Sequence, residues 1–87
     1  MLKIVAHRRD RRSTLRLEGD LIGLWVEELR RLSEETLASG AQLTVDLADV
    51  GFVDREGVDL LQMLRDRGVA VVNASSFVAE QLKGQTR

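Results

Sequence analysis

The sequence predicts a small α/β domain, a mixed four-stranded sheet with its helices packed on one face, and three observations predict it. Two short runs before residue 20 alternate apolar with polar side chains, the period of a strand with one buried face. A longer stretch then carries apolar residues at three- and four-residue spacing, the period of a helix. From there strand-like and helix-like segments alternate, so the whole chain reads β-β-α-β-α-β-α. Strand-helix-strand units in one sheet need parallel strands joined by right-handed crossovers, so at least the third and fourth strands are expected to run parallel. A chain of 87 residues has room for one small core, which makes residues 1–87 a single expected domain.

Composition narrows the function classes. With 44% hydrophobic and 31% charged residues the chain has the make-up of a folded domain, and no apolar run approaches the roughly 18 residues that span a bilayer. Membrane insertion is therefore not expected. The absence of cysteine excludes disulfides and thiolate metal sites. The apolar part of the opening MLKIVAHRR is too short for a secretory signal, which makes the cytoplasm the expected location. A net charge of −1 gives no overall attraction to nucleic acid or anionic lipid, so such a partner would need a local patch.

In the first strand, residues 1–9, Leu2, Ile4 and Ala6 alternate with Lys3, Val5 and His7. Arg8, Arg9, Asp10, Arg11 and Arg12 then form the turn of a hairpin whose second strand carries Leu15 and Leu17. Four arginines beside His7 could hold phosphate, but Asp10 interrupts the charge and no aromatic residue stands nearby to stack a base, so a solvated turn is expected and nucleic acid is not the expected partner. His7, the one histidine, has neither nucleophile nor orienting carboxylate beside it. Gly19 and Asp20 are read as the end of the second strand, with Asp20 capping a helix over 21–36. Leu21, Ile22, Trp25, Val26, Leu29, Leu32 and Thr36 form its apolar stripe, and Glu27, Glu28, Arg30, Arg31, Glu34 and Glu35 its wet face. Trp25 is expected to pack in the core. Leu24 falls among the charged positions, either covered by the hairpin or exposed for a partner.

Gly40 marks the helix exit, and residues 43–64 form the unit around which the rest is arranged. Leu43, Val45 and Leu47 alternate with Thr44 and Asp46, and Val50, Phe52 and Val53 extend the apolar run into an exit loop. Asp54 is placed to cap a helix starting at or next to Arg55, and Glu56 puts negative charge where the helix dipole is positive. Gly57, Leu60, Leu61, Leu64 and Gly68 share one face of that helix, while Arg55, Asp59, Gln62, Met63 and Asp66 point elsewhere. Residues 69–72 form a short buried strand. Ser75 or Ser76 caps a last helix over 77–83, whose apolar contacts come from Phe77, Val78 and Leu82.

The run VDLADVGFVDREGVDLL, from Val45 to Leu61, resembles the signature of STAS domains, the family that includes bacterial anti-sigma factor antagonists. Leu17-Glu18-Gly19-Asp20-Leu21 and the element order also fit, and the resemblance covers roughly residues 13–83. It implies a non-catalytic protein-binding domain whose elbow typically reads Asp-Ser-Ser-Gly, with the second serine phosphorylated by a partner kinase that is itself the anti-sigma factor. Here the elbow reads Asp54-Arg55-Glu56-Gly57. Asp54 and Gly57 match, Arg55 replaces the first serine, and Glu56 replaces the phosphoacceptor. Asp59 also departs from the small residue usual there, and the chain ends at Arg87, short of the last strand and helix of longer members.

No enzyme, metal or cofactor chemistry is expected, because Asp54, Glu56 and Asp59 diverge around a helix and no further ligand converges on them. The resemblance and the exposed helix start together nominate Asp54, Arg55, Glu56, Gly57, Asp59, Gln62 and Met63 as a partner-binding surface. Glu56 either only complements the helix dipole or supplies a constant charge of −1 where relatives add about −1.5 to −2 by phosphorylation. The implied partner is an anti-sigma factor or histidine-kinase-like ATPase, and the alternative is an ABC transporter ATPase of the lipid-transport type served by an accessory STAS subunit. Oligomeric state is left open. Because neither Arg55 nor Glu56 can accept a phosphoryl group, incubation with a family kinase and ATP is expected to leave the elbow peptide unmodified on peptide mapping. Stoichiometric phosphate on Ser75 or Ser76 would instead move the switch to the following loop.

Overall fold

In the computed structural model, which describes residues 1–84, the alternation near the N-terminus becomes a hairpin: β1 (Leu2–Arg9) and β2 (Arg12–Leu21) pair antiparallel across Asp10 and Arg11. Asp10 takes a φ of 57°, a left-handed conformation that aspartate tolerates better than most residues. The chain continues through α1 (Leu24–Ala38), β3 (Gln42–Val53), α2 (Arg55–Asp66), β4 (Ala70–Val72) and α3 (Ser76–Gly84). The sheet order is β1-β2-β3-β4, with β2, β3 and β4 mutually parallel. Both parallel connections step the same way across the sheet, so right-handed crossovers put α1 and α2 side by side on one face.

Between sheet and helices lies one core. Leu15, Leu17, Leu21, Val45, Leu47 and Val53 from the strands meet Val26, Leu29, Val58, Leu60, Leu61, Leu64, Val78 and Leu82 from the helices, all buried. The other face of the sheet is polar. There Arg16 donates to Asp49 at 2.6 Å, which raises the guanidinium pKa, and Asn73 donates to Asp46 at 3.2 Å.

Several boundaries differ from the sequence reading. β2 does not stop at Gly19 and Asp20 but runs on to Leu21, because its parallel partner β3 also continues, pairing Leu21 with Val53. Register irregularities on either side of Glu18 and Gly19 shift the side-chain alternation, so Leu47, Val50 and Val53 are all buried although they do not follow the two-residue period of a regular strand. What reads as an exit loop is therefore strand. Leu21 is a core residue of β2 and not of a helix, α1 begins at Leu24, and its N-cap is Gly23 in place of Asp20. Trp25 is half-buried against the core, and Leu24 is 86% exposed. Phe77 is exposed rather than packed in the core, and Gly68 lies beyond the end of α2 with φ 90°. Of the two serines, Ser75 makes the α3 cap, its Oγ accepting from Val78 N at 3.1 Å.

Leu29 is fully buried, so Leu29→Ala is expected to cost about 2–5 kcal/mol, the usual range for truncating a core leucine. Glu34 pairs with Arg67 at 2.7 Å but both side chains are near half exposed, so Glu34→Ala should cost within about 0.5 kcal/mol. Urea midpoints of the two variants make the comparison.

Candidate functional site

β2 and β3 run parallel and end together, so the loops leading into α1 and α2 leave the sheet side by side. Each helix start presents backbone N–H groups without intrahelical partners and the positive end of its dipole. One carboxylate serves both. Asp54 accepts from Gly57 N at 2.8 Å through Oδ1, capping α2, and from Gly23 N at 2.9 Å through Oδ2, at the entry to α1. Its own N–H donates to Leu21 O at 3.0 Å, so backbone and side chain of one residue lock the two loops together.

The lock needs glycine at position 57. A Cβ there would lie 2.6 Å from Val53 Cγ1 and 3.1 Å from Leu21 O, closer than packing allows. Gly57 is thus buried where α2 crosses the ends of β2 and β3, and its two predecessors in the helix, Arg55 and Glu56, are thrust outward and exposed.

A second device fixes the outer side of the elbow. β4 pairs with β3 only at Thr44–Asp46, so the far end of β3, paired with β2 on one side, has no strand on the other. The side chain of Gln81 takes that place: its Nε2 donates to Val53 O at 2.7 Å, and Val53 N donates to its Oε1 at 3.1 Å. Gln62 Nε2 donates to Leu82 O at 2.7 Å, tying α2 to α3, and Phe52 stacks on Phe77 with centroids 6.3 Å apart. These contacts hold the residue immediately before Asp54.

The seven nominated residues separate into two groups. Arg55, Glu56 and Asp59 are exposed on the first turns of α2. Asp54 and Gly57 build the elbow from beneath, Gln62 is a half-buried strut to α3, and Met63 is half-buried against the core with its sulfur 3.8 Å from Arg67 Nη1. Sequence reasoning missed one contributor and left a second open between two readings. Gln81 gave no signal, since a glutamine in a short terminal helix looks like any solvated residue. Leu24 did give one, an apolar residue among charges, and it lines a shallow cavity of about 360 Å³ with Trp25 and Glu28 beside the elbow. Among the described residues no three acidic or histidine side chains gather as metal ligands.

Removing the shared carboxylate should loosen both helix starts, so Asp54→Ala is expected to cost roughly 1–3 kcal/mol, a lost cap plus a second, exposed hydrogen bond to charge. Gly57→Ala should cost about 1–3 kcal/mol by overpacking against Val53 and Leu21. Chemical denaturation of both variants is the check, and a neutral Gly57→Ala would contradict the close approach.

A family model for the Mlab STAS domain matches residues 4–83, nearly the whole chain. Among solved structures, the fold is similar to the anti-sigma factor antagonist SpoIIAA in its unphosphorylated form, with a TM-score of 0.74 at 21% identity over 93% of this chain and 82% of that one. It is also similar to an antisigma-factor antagonist STAS domain from Rhodobacter sphaeroides, with a TM-score of 0.62 at 23% identity over 86% of this chain and 92% of that one. An uncharacterised protein with a SpoIIAA-like fold from Shewanella loihica superposes with a TM-score of 0.59 at 15% identity, over 87% of this chain and 69% of that one. No curated protein is matched by the sequence. The mixed sheet, the capped elbow and the match across residues 4–83 make this chain a member of the Mlab STAS-domain family.

Proposed function

We propose that this chain is a non-catalytic protein-binding module of the anti-sigma factor antagonist type, acting in the cytoplasm and docking through the elbow at residues 54–57 and the first turns of α2. One observation carries the reading: the Asp54 carboxylate joins both helix starts, so Arg55 and Glu56 stand exposed on backbone that cannot drift. Rigid presentation lowers the entropy lost when a partner orders protruding side chains. Arg55 offers a planar, bidentate donor to a partner carboxylate, and Leu24, 86% exposed on the neighbouring helix start, offers an apolar anchor. Glu56 holds a fixed negative charge at the position where related antagonists carry the phosphoacceptor.

That fixed charge also favours a second reading of the partner. A module that cannot be switched by phosphorylation at its elbow suits constitutive docking, as an accessory subunit on a transporter ATPase would need, better than reversible release of an anti-sigma factor kinase.

Titration against a purified anti-sigma factor kinase and a purified transporter ATPase subunit separates the two. Arg55→Ala and Leu24→Ala are each expected to weaken binding to the true partner by more than about 1 kcal/mol with no change in melting temperature, since both side chains are exposed. Met63→Ala should weaken binding too, but with some loss of stability because Met63 also packs on the core. Binding to neither protein, or unchanged affinity in the variants, would overturn the elbow as docking surface.

A further inference from the structure

The hairpin tip lies at the opposite end of the sheet from the elbow. β2 spans ten residues from Arg12 to Leu21, which at roughly 3.3 Å per residue puts the two about 30 Å apart. Arg8, Arg9, Arg11 and Arg12 surround this tip, and among the described residues none of them forms an ion pair, not even with Asp10 between them. All four line cavities that include Gly40, at the exit of α1. Arg8 and Arg11 flank a cavity with Ser39 and Gly40, where the C-terminal end of α1 carries the negative pole of its dipole and has no basic residue of its own in the last turn. Arg9 and Arg12 line the neighbouring cavity with Asp10, Gly40 and Gln42. They are cross-strand partners, and like charges placed directly opposite in a hairpin destabilise it.

We infer that the arginine tip is an adsorption site for the anionic headgroups of a phospholipid surface, used without insertion into the bilayer. Charge decides for an anion: four guanidiniums and one carboxylate make a local net of +3 on a chain of net −1, and the opposite end carries Asp20, Asp54 and Glu56 against Arg55, so an anionic plane would meet the molecule tip first. Aromatic placement decides against single-stranded nucleic acid. Trp25, Phe52 and Phe77 all lie at the elbow end, leaving His7 as the one ring near the arginines, short of the row of stacking platforms that a single strand uses. The tip also has no apolar side chain to insert, which leaves attraction to a layer of phosphates. A lipid surface requires no register between its phosphates and arginines that point around a tip. Because tip and elbow are at opposite ends, adsorption leaves the elbow facing away from the membrane, free for a protein partner.

Co-sedimentation of the full chain with vesicles tests this, using phosphatidylcholine alone and phosphatidylcholine mixed with phosphatidylglycerol. Retention is expected only on the mixed vesicles and should fall as salt rises. Arg9→Gln and Arg12→Gln should each weaken partitioning about fivefold, the usual contribution of one basic residue near an anionic surface, while the melting temperature holds or rises as the like-charge pair is relieved. Arg30→Gln, which removes the same charge from α1, should leave partitioning unchanged. Equal retention on both vesicles, an equal loss with Arg30→Gln, or a fall in melting temperature for the hairpin variants would overturn the proposal. So would tighter retention on duplex DNA or immobilised tripolyphosphate than on the vesicles at the same salt.

Discussion

The two hydrogen bonds accepted by the Asp54 carboxylate, from Gly57 N and Gly23 N, are the constraint on which the elbow depends. A parallel sheet with its crossovers on one face forces neighbouring helices to begin at the same edge, and both beginnings present positive poles a few ångströms apart. Left alone they would repel each other and leave donors unsatisfied. A single negative charge between them answers both needs, and its position is set by the backbone bond from Asp54 N to Leu21 O. Everything exposed at that edge, Leu24 on one helix and Arg55 and Glu56 on the other, inherits its placement from this one side chain.

Glycine and glutamine complete what the carboxylate begins. Gly57 lets α2 sit against Val53 and Leu21 without a Cβ in the way, and so fixes the angle at which Arg55 and Glu56 leave the surface. Gln81 satisfies the open edge of β3 with the two hydrogen bonds that another strand would have made, so the last strand residue before the elbow stays paired although β4 is only three residues long. An unpaired strand edge at that point would invite association with other strands; an amide side chain blocks it more economically than a longer β4.

Much of this was legible in the sequence because it rests on local patterns. Element order, the parallel pairing of β3 and β4, the Asp54 cap and the buried stripe of α2 all follow from periodicity and from the preference of aspartate for helix starts. What was not legible depends on contacts between distant segments. Asp20 looks like a cap, yet β3 holds β2 in the sheet as far as Leu21, and the α1 start is capped instead by a carboxylate thirty-one positions along the chain from Gly23. Phe77 looks like core, yet it stacks on the exposed Phe52. Ser33 is fully buried, a fate that hydrophobic periodicity cannot announce for a polar residue. Of the nominated surface, Arg55, Glu56 and Asp59 are as exposed as their spacing implied, whereas Gln62 turned inward to hold α3, a bond no single-helix pattern contains.

The division of charge between the two ends of the sheet follows from chain direction. Because β2 and β3 point the same way and α1 and α2 return antiparallel to them, one edge of the sheet collects helix N-termini and the other collects helix C-termini, where Leu37, Gln42, Arg67 and Gly68 share a cavity. Backbone dipoles therefore make the elbow edge positive and the hairpin edge negative before any side chain is considered. Asp54 and Glu56 complement the first, and Arg8, Arg11 and Arg67 complement the second. Arg9 and Arg12 stand opposite each other as like charges across the hairpin, just as Arg55 runs against the sign that the elbow edge prefers. Side chains that go beyond or against the local field fall at two separate ends of this chain, the end proposed to dock a protein partner and the end proposed to meet an anionic surface.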